Sequence, residues 1–415
     1  MADTDAVGSQ LRRFDRRLAG WGLVAAAALA MGACGAFQFT WSSIRLPLGS
    51  RLGAPETALG TVFTLFITFQ TLSQFPAGWV RDRYGPRVPL LVGSALMVAG
   101  FAGVAVADSL LTAYAAYAIG GIGAGSAYTV AVNTPVKWFV AKRGLATGIV
   151  TMTYSALSFV LIPGIRGGVA TDFRTTLLLL AGLVGVLGLV AAAVIRDPDN
   201  DTTQDDQPPD DEQATDAIDP DDAYTWRDAV RTWQFWLLYV AFIVINGVGL
   251  MLIGKVVSYA AALDLSASAG TAAASFVALA DAGGLLVVGS LSDRLGRKRS
   301  AAASIVLAGL ALVAAVVAGQ RGLALGFVAF AAIAAFFRSP PFAIFPGLVG
   351  SYYGRAYSSE VYAVLYSAKL FGGVIGGTVA SGLVLTLGWS ESFGLGAVLL
   401  VAAGLSLAFL RPVER

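Results

Sequence analysis

Long apolar runs recur along the whole chain and are separated by short polar connections. A helix needs about 20 mostly apolar residues to cross the hydrocarbon core of a bilayer. Twelve runs meet this requirement and predict helices at 18–44, 57–80, 88–107, 111–136, 143–163, 173–194, 234–261, 268–290, 299–318, 322–346, 360–386 and 391–410. The pattern predicts an all-α membrane protein with twelve transmembrane helices.

The composition agrees with lipid as the main solvent of the chain. Hydrophobic residues make up 56% of the 415 residues, charged residues only 13%, and the mean hydropathy is +0.72. A water-soluble domain could not hide so much apolar surface. Histidine is absent and Cys34 is the single cysteine, so a histidine-dependent metal or hydrolase site and a disulfide within the chain are excluded.

Basic residues are sorted by position along the chain. If both chain ends lie on one side of the membrane, three basic clusters fall on that side: Arg81, Arg83 and Arg87; Lys137, Lys142 and Arg143; Arg294, Arg297, Lys298 and Arg299. Connections with an excess of Lys and Arg are retained in the cytoplasm. We therefore expect a multi-pass protein of the plasma membrane with both termini cytoplasmic.

An acidic segment separates the sixth and seventh predicted helices. Residues 197–222 hold twelve Asp or Glu and four Pro, with no Lys or Arg. Such a composition predicts a disordered linker, although an acidic run could also bind a partner or a cation. The expected organisation is a six-helix half at 1–195, a cytoplasmic linker at 196–232 and a second six-helix half at 233–415.

A ten-residue motif occurs twice, each time after the second predicted helix of a set of six. The two copies are Gly78-Trp-Val-Arg-Asp82-Arg83-Tyr-Gly85-Pro-Arg87 and Gly289-Ser-Leu-Ser-Asp293-Arg294-Leu-Gly296-Arg-Lys298. Gly, Asp, Arg and Gly recur in the same register. The repeat predicts a tandem duplication that forms two pseudo-symmetric six-helix bundles.

This motif resembles the loop signature of the major facilitator superfamily. The resemblance implies a central cavity opened alternately to the two sides, and a cytoplasmic gate built by the recurring positions of both loops. We expect that gate at Gly78, Asp82, Arg83, Gly85 and Arg87, and at Gly289, Asp293, Arg294, Gly296 and Lys298. The other interpretation is that these clusters serve membrane topology alone.

Three further stretches are similar to the oxalate:formate antiporter group and to its relatives, the monocarboxylate transporters. They begin at Phe39-Thr-Trp41-Ser42, at Asn133-Thr-Pro-Val-Lys137-Trp138 and at Tyr362-Ala-Val-Leu-Tyr366-Ser-Ala-Lys369. This resemblance implies a secondary active transporter of small organic anions, namely mono- or dicarboxylates. Exchange against another anion and symport with protons both stay open.

Lys369 is the main candidate for holding the anion. A charge inside the hydrocarbon costs roughly 2.5–3.5 kcal/mol on insertion scales, which makes each interior charge a functional candidate. Lys369 lies about nine residues, or roughly 14 Å, from the start of the eleventh predicted helix. In the antiporter group a lysine at this position helps to hold the carboxylate. Alternatively, Asp281 neutralises Lys369 as a structural partner.

The eighth helix departs from the group, because Leu285 stands where those antiporters usually have an arginine. Asp281 matches an aspartate that is linked to proton coupling in the monocarboxylate transporters, so we expect it to couple transport to protons or charge. Arg338, next to Pro340 and Pro341, could replace the missing cation in the cavity. It could equally reach the cytoplasmic boundary or satisfy carbonyl groups at the proline kink.

Other polar side chains fall into two classes. Tyrosines can donate to a carboxylate while their rings exclude water, and the family's cavity is lined by aromatics at positions similar to Tyr128, Tyr154 and Tyr366. Lys255 and Arg45 lie towards the external ends of their helices. We expect both to reach the membrane interface, although Arg45 could instead attract anions to the outer vestibule.

Two other functions are compatible with the sequence and compete with transport of an organic anion. The nearer one is a facilitator-type carrier of a zwitterionic, cationic or drug-like solute, with Asp281 as its ligand. The other is a sensor that kept the fold without transport. We do not expect an enzyme, a cofactor or a nucleic-acid partner. The expected partners are the organic anion, protons or a counter-anion, and the lipid bilayer around a monomer.

Overall fold

The computed structural model describes residues 2–138, 143–197, 224–354, 357–411 and 413, without the side chains of 2–19, 82, 136, 143–144, 293 and 359. Almost all of these residues are helical, and twelve helical segments are long and apolar enough to cross a membrane. The predicted fold class is confirmed. Most of the predicted linker lies outside the described residues.

The first six spans contain seven helices. Their bounds are Ala2–Phe39 and Trp41–Leu52 for span 1, then Glu56–Tyr84, Arg87–Ala105, Leu110–Trp138, Arg143–Thr171 and Phe173–Val194 for spans 2 to 6. Span 1 is interrupted at Thr40, whose hydroxyl donates to the carbonyl of Ala36 at 2.6 Å. It then continues beyond the predicted end at residue 44.

The last six spans are less regular. A short helix, Trp226–Ala229, precedes them. Spans 7 to 10 are Trp233–Ala262, Ala267–Leu295, Arg297–Gln320 and Ala324–Arg338 with Pro341–Tyr353. Span 11 contains the helices Ser358–Tyr366, Ala368–Val374 and Ala380–Leu387, and span 12 is Trp389–Ser406 with a final turn Leu407–Phe409. Span 10 breaks before Pro341, as the double proline predicts. Span 11 is interrupted at Ser367 and contains a π-helical turn, Ile375–Val379.

Each set of six spans encloses its own apolar core. In the first set, the rings of Phe37, Phe66 and Tyr117 pack together within 6.1 Å between centroids. In the second set, Tyr259 stacks on Phe393 at 4.3 Å. The chain therefore buries apolar surface within two bundles as well as between them.

Twelve spans bring both chain ends to the same side of the membrane, which we call the near side; the opposite side is the far side. Towards the far side, spans 2 and 11 are joined by hydrogen bonds across the two sets of six. The hydroxyl of Thr378 lies 3.3 Å from that of Thr61 and 3.0 Å from that of Thr64. These contacts hold the two sets of six spans together on the far side.

Gly35 lets spans 1 and 5 approach closely. A Cβ atom at this position would lie 1.5 Å from the carbonyl oxygen of Tyr154, whereas one at Gly22 on the same helix would meet nothing within 4 Å. We expect Gly35→Ala to destabilise the protein by about 3 kcal/mol, because the backbones must separate. Thermal unfolding in detergent measures this effect, with Gly22→Ala as the control. Equal melting temperatures for the two variants would contradict it.

Candidate functional site

Lys369 lies in the middle of span 11, between the interruption at Ser367 and the π-helical turn. Only 5% of its surface is exposed. Its ammonium group donates to the side-chain carbonyl of Gln70 on span 2, at 3.0 Å. Irregular helix turns are frequent at functional sites because they free backbone groups and redirect side chains. This hydrogen bond joins the two sets of six spans at mid-membrane.

A chain of hydrogen bonds extends from Lys369 into the first six spans. The amide of Gln70 donates to the hydroxyl of Tyr154 at 2.8 Å, and that hydroxyl donates to the side-chain carbonyl of Gln38 at 2.8 Å. Spans 11, 2, 5 and 1 are thereby connected through neutral groups. This chain links Lys369 to three spans of the first bundle.

Two of the three predicted tyrosines lie beside Lys369, and the third contacts those two. Its nitrogen lies 5.8 Å from the ring centroid of Tyr154 and 5.9 Å from that of Tyr366, within the range of a cation–π interaction. Tyr128 packs edge-on against Tyr154, with 5.7 Å between centroids, and its hydroxyl faces that of Tyr366. Tyrosines of spans 4, 5 and 11 thus form one aromatic cluster, and the rings from spans 5 and 11 lie near the ammonium group.

Asp281 forms an ion pair with Arg338, between spans 8 and 10. The alternative in which Asp281 neutralises Lys369 is therefore not realised. Arg338 is 94% buried and its guanidinium group lies 5.5 Å from the ring centroid of Phe342, so the interpretation that it reaches the membrane boundary is wrong. Arg338 is the last helical residue before the proline break within span 10. Both charges of the pair are close enough to act on Lys369.

The balance of charge at this site is positive. Asp281 and Arg338 neutralise one another, and among the described side chains no carboxylate lies within ion-pair distance of Lys369. A buried ammonium group without a counter-ion is unfavourable, because a neutral amide does not replace a negative charge. The arrangement can therefore accept an anion, with tyrosine hydroxyl groups beside it as hydrogen-bond donors.

A second buried charge cluster lies towards the far side. Lys255 donates to the carboxylate of Glu56 at 2.8 Å and to the hydroxyl of Ser381 at 2.6 Å, while Arg45 pairs with the same oxygen of Glu56. Arg45 also donates to the hydroxyl of Ser258 at 2.9 Å. Arg45 and Lys255 are buried. The prediction that both reach the membrane interface is wrong, because each has a carboxylate partner inside the protein.

The sequence analysis does not identify Glu56 as a functional candidate, because this residue directly precedes the second apolar run and resembles an ordinary loop residue. Its helix begins at Glu56, after Pro55. The signal that could have identified it is the depth of the two cations. Arg45 and Lys255 both stand several residues inside the far ends of their spans, where two unpaired cations would be costly.

The repeated motif forms equivalent turns at the near ends of spans 2 and 8. Gly85 has a φ of +78° and Gly296 a φ of +89°, a backbone conformation that favours glycine. Arg83 lies over the ring of Trp79 at 4.2 Å, and Lys298 donates to the carbonyl of Leu410. The side chains of Asp82 and Asp293 lie outside the described part of the structure, so the role of these loops as a gate stays a prediction.

Comparison with known proteins gives a consistent result. The sequence matches the Major Facilitator Superfamily over residues 23–260 and 243–415. It is 30% identical over 394 residues to the oxalate:formate antiporter of Oxalobacter formigenes, which covers 94% of this chain and 91% of that one. A shorter match of 128 residues, 33% identical, joins it to a probable sulfoacetate transporter, SauU, of Cupriavidus necator, over 29% of this chain and 28% of that one.

Solved structures share the same architecture. A bacterial homologue of the human lysosomal transporter Spinster, in an inward-facing and unoccupied conformation, superposes with a TM-score of 0.68 at 15% identity, over 95% of both chains. A peptide transporter POT in complex with alafosfalin gives a TM-score of 0.69 at 15% identity, over 93% of this chain and 94% of that one. At this level of identity the likeness concerns the fold alone.

Proposed function

Because the chain belongs to the Major Facilitator Superfamily and is a secondary transporter, we propose that its solute is a small organic anion, a mono- or dicarboxylate. The observation that carries this proposal is Lys369, a buried ammonium group at mid-membrane whose hydrogen-bond partner is a neutral amide. An anion bound there supplies the missing negative charge. The names of two relatives, which refer to oxalate, formate and sulfoacetate, support the same class of solute.

Binding would begin with exchange of partners at Lys369. A carboxylate oxygen replaces the carbonyl of Gln70, since a charge-assisted hydrogen bond is stronger than one to a neutral group. Tyr154 and Tyr366 then enclose the anion. Because Gln70 and Lys369 belong to opposite sets of six spans, the exchange breaks a contact between the two bundles and favours their movement.

Asp281 and Arg338 give the site its coupling element. Protonation of Asp281 would leave Arg338 without a charged partner. Arg338 would then serve as a second cation beside Lys369, in the role of the arginine that related antiporters have where this chain has Leu285. The site would then suit an anion together with a proton. If Asp281 keeps its charge throughout the cycle, the protein works as an anion exchanger.

Uptake of labelled acetate, lactate, formate and oxalate by liposomes that contain the purified protein tests the proposal, with and without a pH gradient. Choline and glycine serve as cationic and zwitterionic comparisons. We expect saturable uptake of at least one acid, and its dependence on the gradient distinguishes symport from exchange. Uptake of choline or glycine and of no acid would favour the alternative, a carrier that uses Asp281 as its ligand.

We further propose that residues 1–195 and 233–415 rock against one another around this site, with the repeated loops as the near-side gate. In a Cys34→Ala background, oxidation of Thr61→Cys/Thr378→Cys is expected to join spans 2 and 11 and stop transport, because these hydroxyls lie 3.3 Å apart. Reduction should restore it. Full transport by the cross-linked protein would contradict alternating access.

The basic clusters support a near side that faces the cytoplasm, with the protein in the plasma membrane. Ser109, in the exposed connection between spans 3 and 4, then faces the cell exterior. In the Cys34→Ala background, Ser109→Cys is expected to react with an impermeant maleimide on intact cells. Reaction only after lysis would place the far side inside.

A further inference from the structure

Glu56 is a carboxylate of the first six spans that is held by groups of the last six. One of its oxygens, Oε1, accepts hydrogen bonds from Lys255 at 2.8 Å and from the hydroxyl of Ser381 at 3.3 Å. Lys255 belongs to span 7 and Ser381 to span 11, whereas Glu56 begins span 2. Together with Arg45 on span 1, these residues connect the two bundles on the far side.

The charges of this cluster are distributed unequally between the two bundles. Arg45 and Glu56 lie on the same bundle, so they can stay together as a neutral pair when the far side opens. The other bundle keeps Lys255 with the hydroxyl groups of Ser258 and Ser381. An ammonium and a hydroxyl group are donors that bind a carboxylate, and in this state Lys255 and Ser381 both donate to the carboxylate of Glu56, while the hydroxyl of Ser258 accepts from Arg45.

The part of the cluster that belongs to the last six spans is buried, so its lysine differs from an ordinary surface lysine. Lys255 is 2% exposed, and Ser258 and Ser381 are also buried. Withdrawal of Glu56 would break the ion pair of Lys255 and leave it the hydroxyl of Ser381, and the loss of this ion pair opposes opening of the far side. An anion that takes the place of Glu56 removes that obstacle.

We propose that Lys255 and Ser381, with Ser258 nearby on span 7, form a second binding site for small carboxylates, and that Glu56 occupies it as a tethered ligand while the far side is closed. The inference rests on the proposed function, since it takes the solute to be an anion. Ser381 and Lys369 lie twelve residues apart on span 11, which corresponds to roughly 18 Å. The two sites thus lie one after the other along span 11. An anion at the far-side site competes with Glu56 and promotes opening of the far side.

Thermal unfolding with acetate as the probe tests the site without any need for transport. All variants carry Lys369→Gln, which removes the central cation, and sodium chloride at equal ionic strength is the control. Addition of Glu56→Ala empties the proposed site, so we expect acetate to raise the melting temperature of this variant by about 2 °C or more. Further addition of Lys255→Gln should abolish the shift.

Equal shifts in all three proteins, or an equal effect of chloride, would overturn the proposal. If Glu56→Ala does not fold, the site is tested instead by the rate of disulfide cross-linking in Thr61→Cys/Thr378→Cys with Cys34→Ala and Lys369→Gln. Acetate should then slow cross-linking by a factor of about three or more, and Lys255→Gln should remove this effect. An unchanged rate of cross-linking in acetate would overturn the proposed second site. Failure of the wild type to carry any acid would instead contradict the proposed function.

Discussion

Lys369→Gln is expected to lower uptake of the transported acid by about 10- to 100-fold at concentrations below saturation. A charge-assisted hydrogen bond contributes about 1.5–3 kcal/mol, which corresponds to this range of affinity. Glutamine keeps a hydrogen-bond donor and much of the side-chain length, so the loss reports the charge. Initial rates in proteoliposomes, corrected for the amount of reconstituted protein, give the measurement.

The matched control for this variant is Lys137→Gln, which removes a lysine that is 35% exposed and pairs with Asp197 near the end of span 4. It should transport at nearly the wild-type rate. Lys369→Arg retains the charge with a different shape and should fall between wild type and Lys369→Gln. Normal uptake by Lys369→Gln would remove this residue from the binding site.

The second large effect concerns the ion pair of Asp281 and Arg338. Asp281→Asn leaves the buried guanidinium group of Arg338 without a counter-ion, and we expect a loss of stability of about 3–5 kcal/mol. Asp281→Asn/Arg338→Gln removes both charges and should recover most of it. Melting temperatures of the single and double variants in detergent measure the coupling between the two residues.

Asp108→Asn, in the exposed connection after span 3, is the control for a lost carboxylate and should melt like the wild type. If Asp281 carries the proton, the double variant should also transport the acid at a rate that no longer responds to a pH gradient. A double variant as unstable as the sum of its single variants would show that the two side chains do not act as a pair.

The architecture was predictable because lipid imposes a simple pattern on sequence. Spans must be about 20 apolar residues long, and their ends are marked by charges or glycine, so most predicted ends fall within a few residues of the observed ones. The break at Pro340 and Pro341 was likewise visible, since proline cannot continue a helix. The gathering of Lys369 with Tyr128, Tyr154 and Tyr366 followed from the resemblance to a family.

The pairing of charges could not be read from the sequence. Depth along a helix shows that Lys255 and Arg45 are near the far side, but it does not show which way they point or that Glu56 lies between them. The same limit applies to Asp281, whose partner is Arg338 and not Lys369. Partners on different spans depend on helix rotation and packing, which a hydropathy pattern does not determine.

The central claim, that the solute is recognised by its negative charge at Lys369, is tested most directly by binding of an acid and its uncharged amide. Labelled lactate, or the acid with the highest uptake, is bound to purified wild type and to Lys369→Gln, and is displaced by unlabelled lactate or lactamide. We predict that lactamide competes at least about tenfold less well for the wild type and that Lys369→Gln erases this preference. Equal competition by the amide, or an undiminished preference for the acid in Lys369→Gln, would contradict the account.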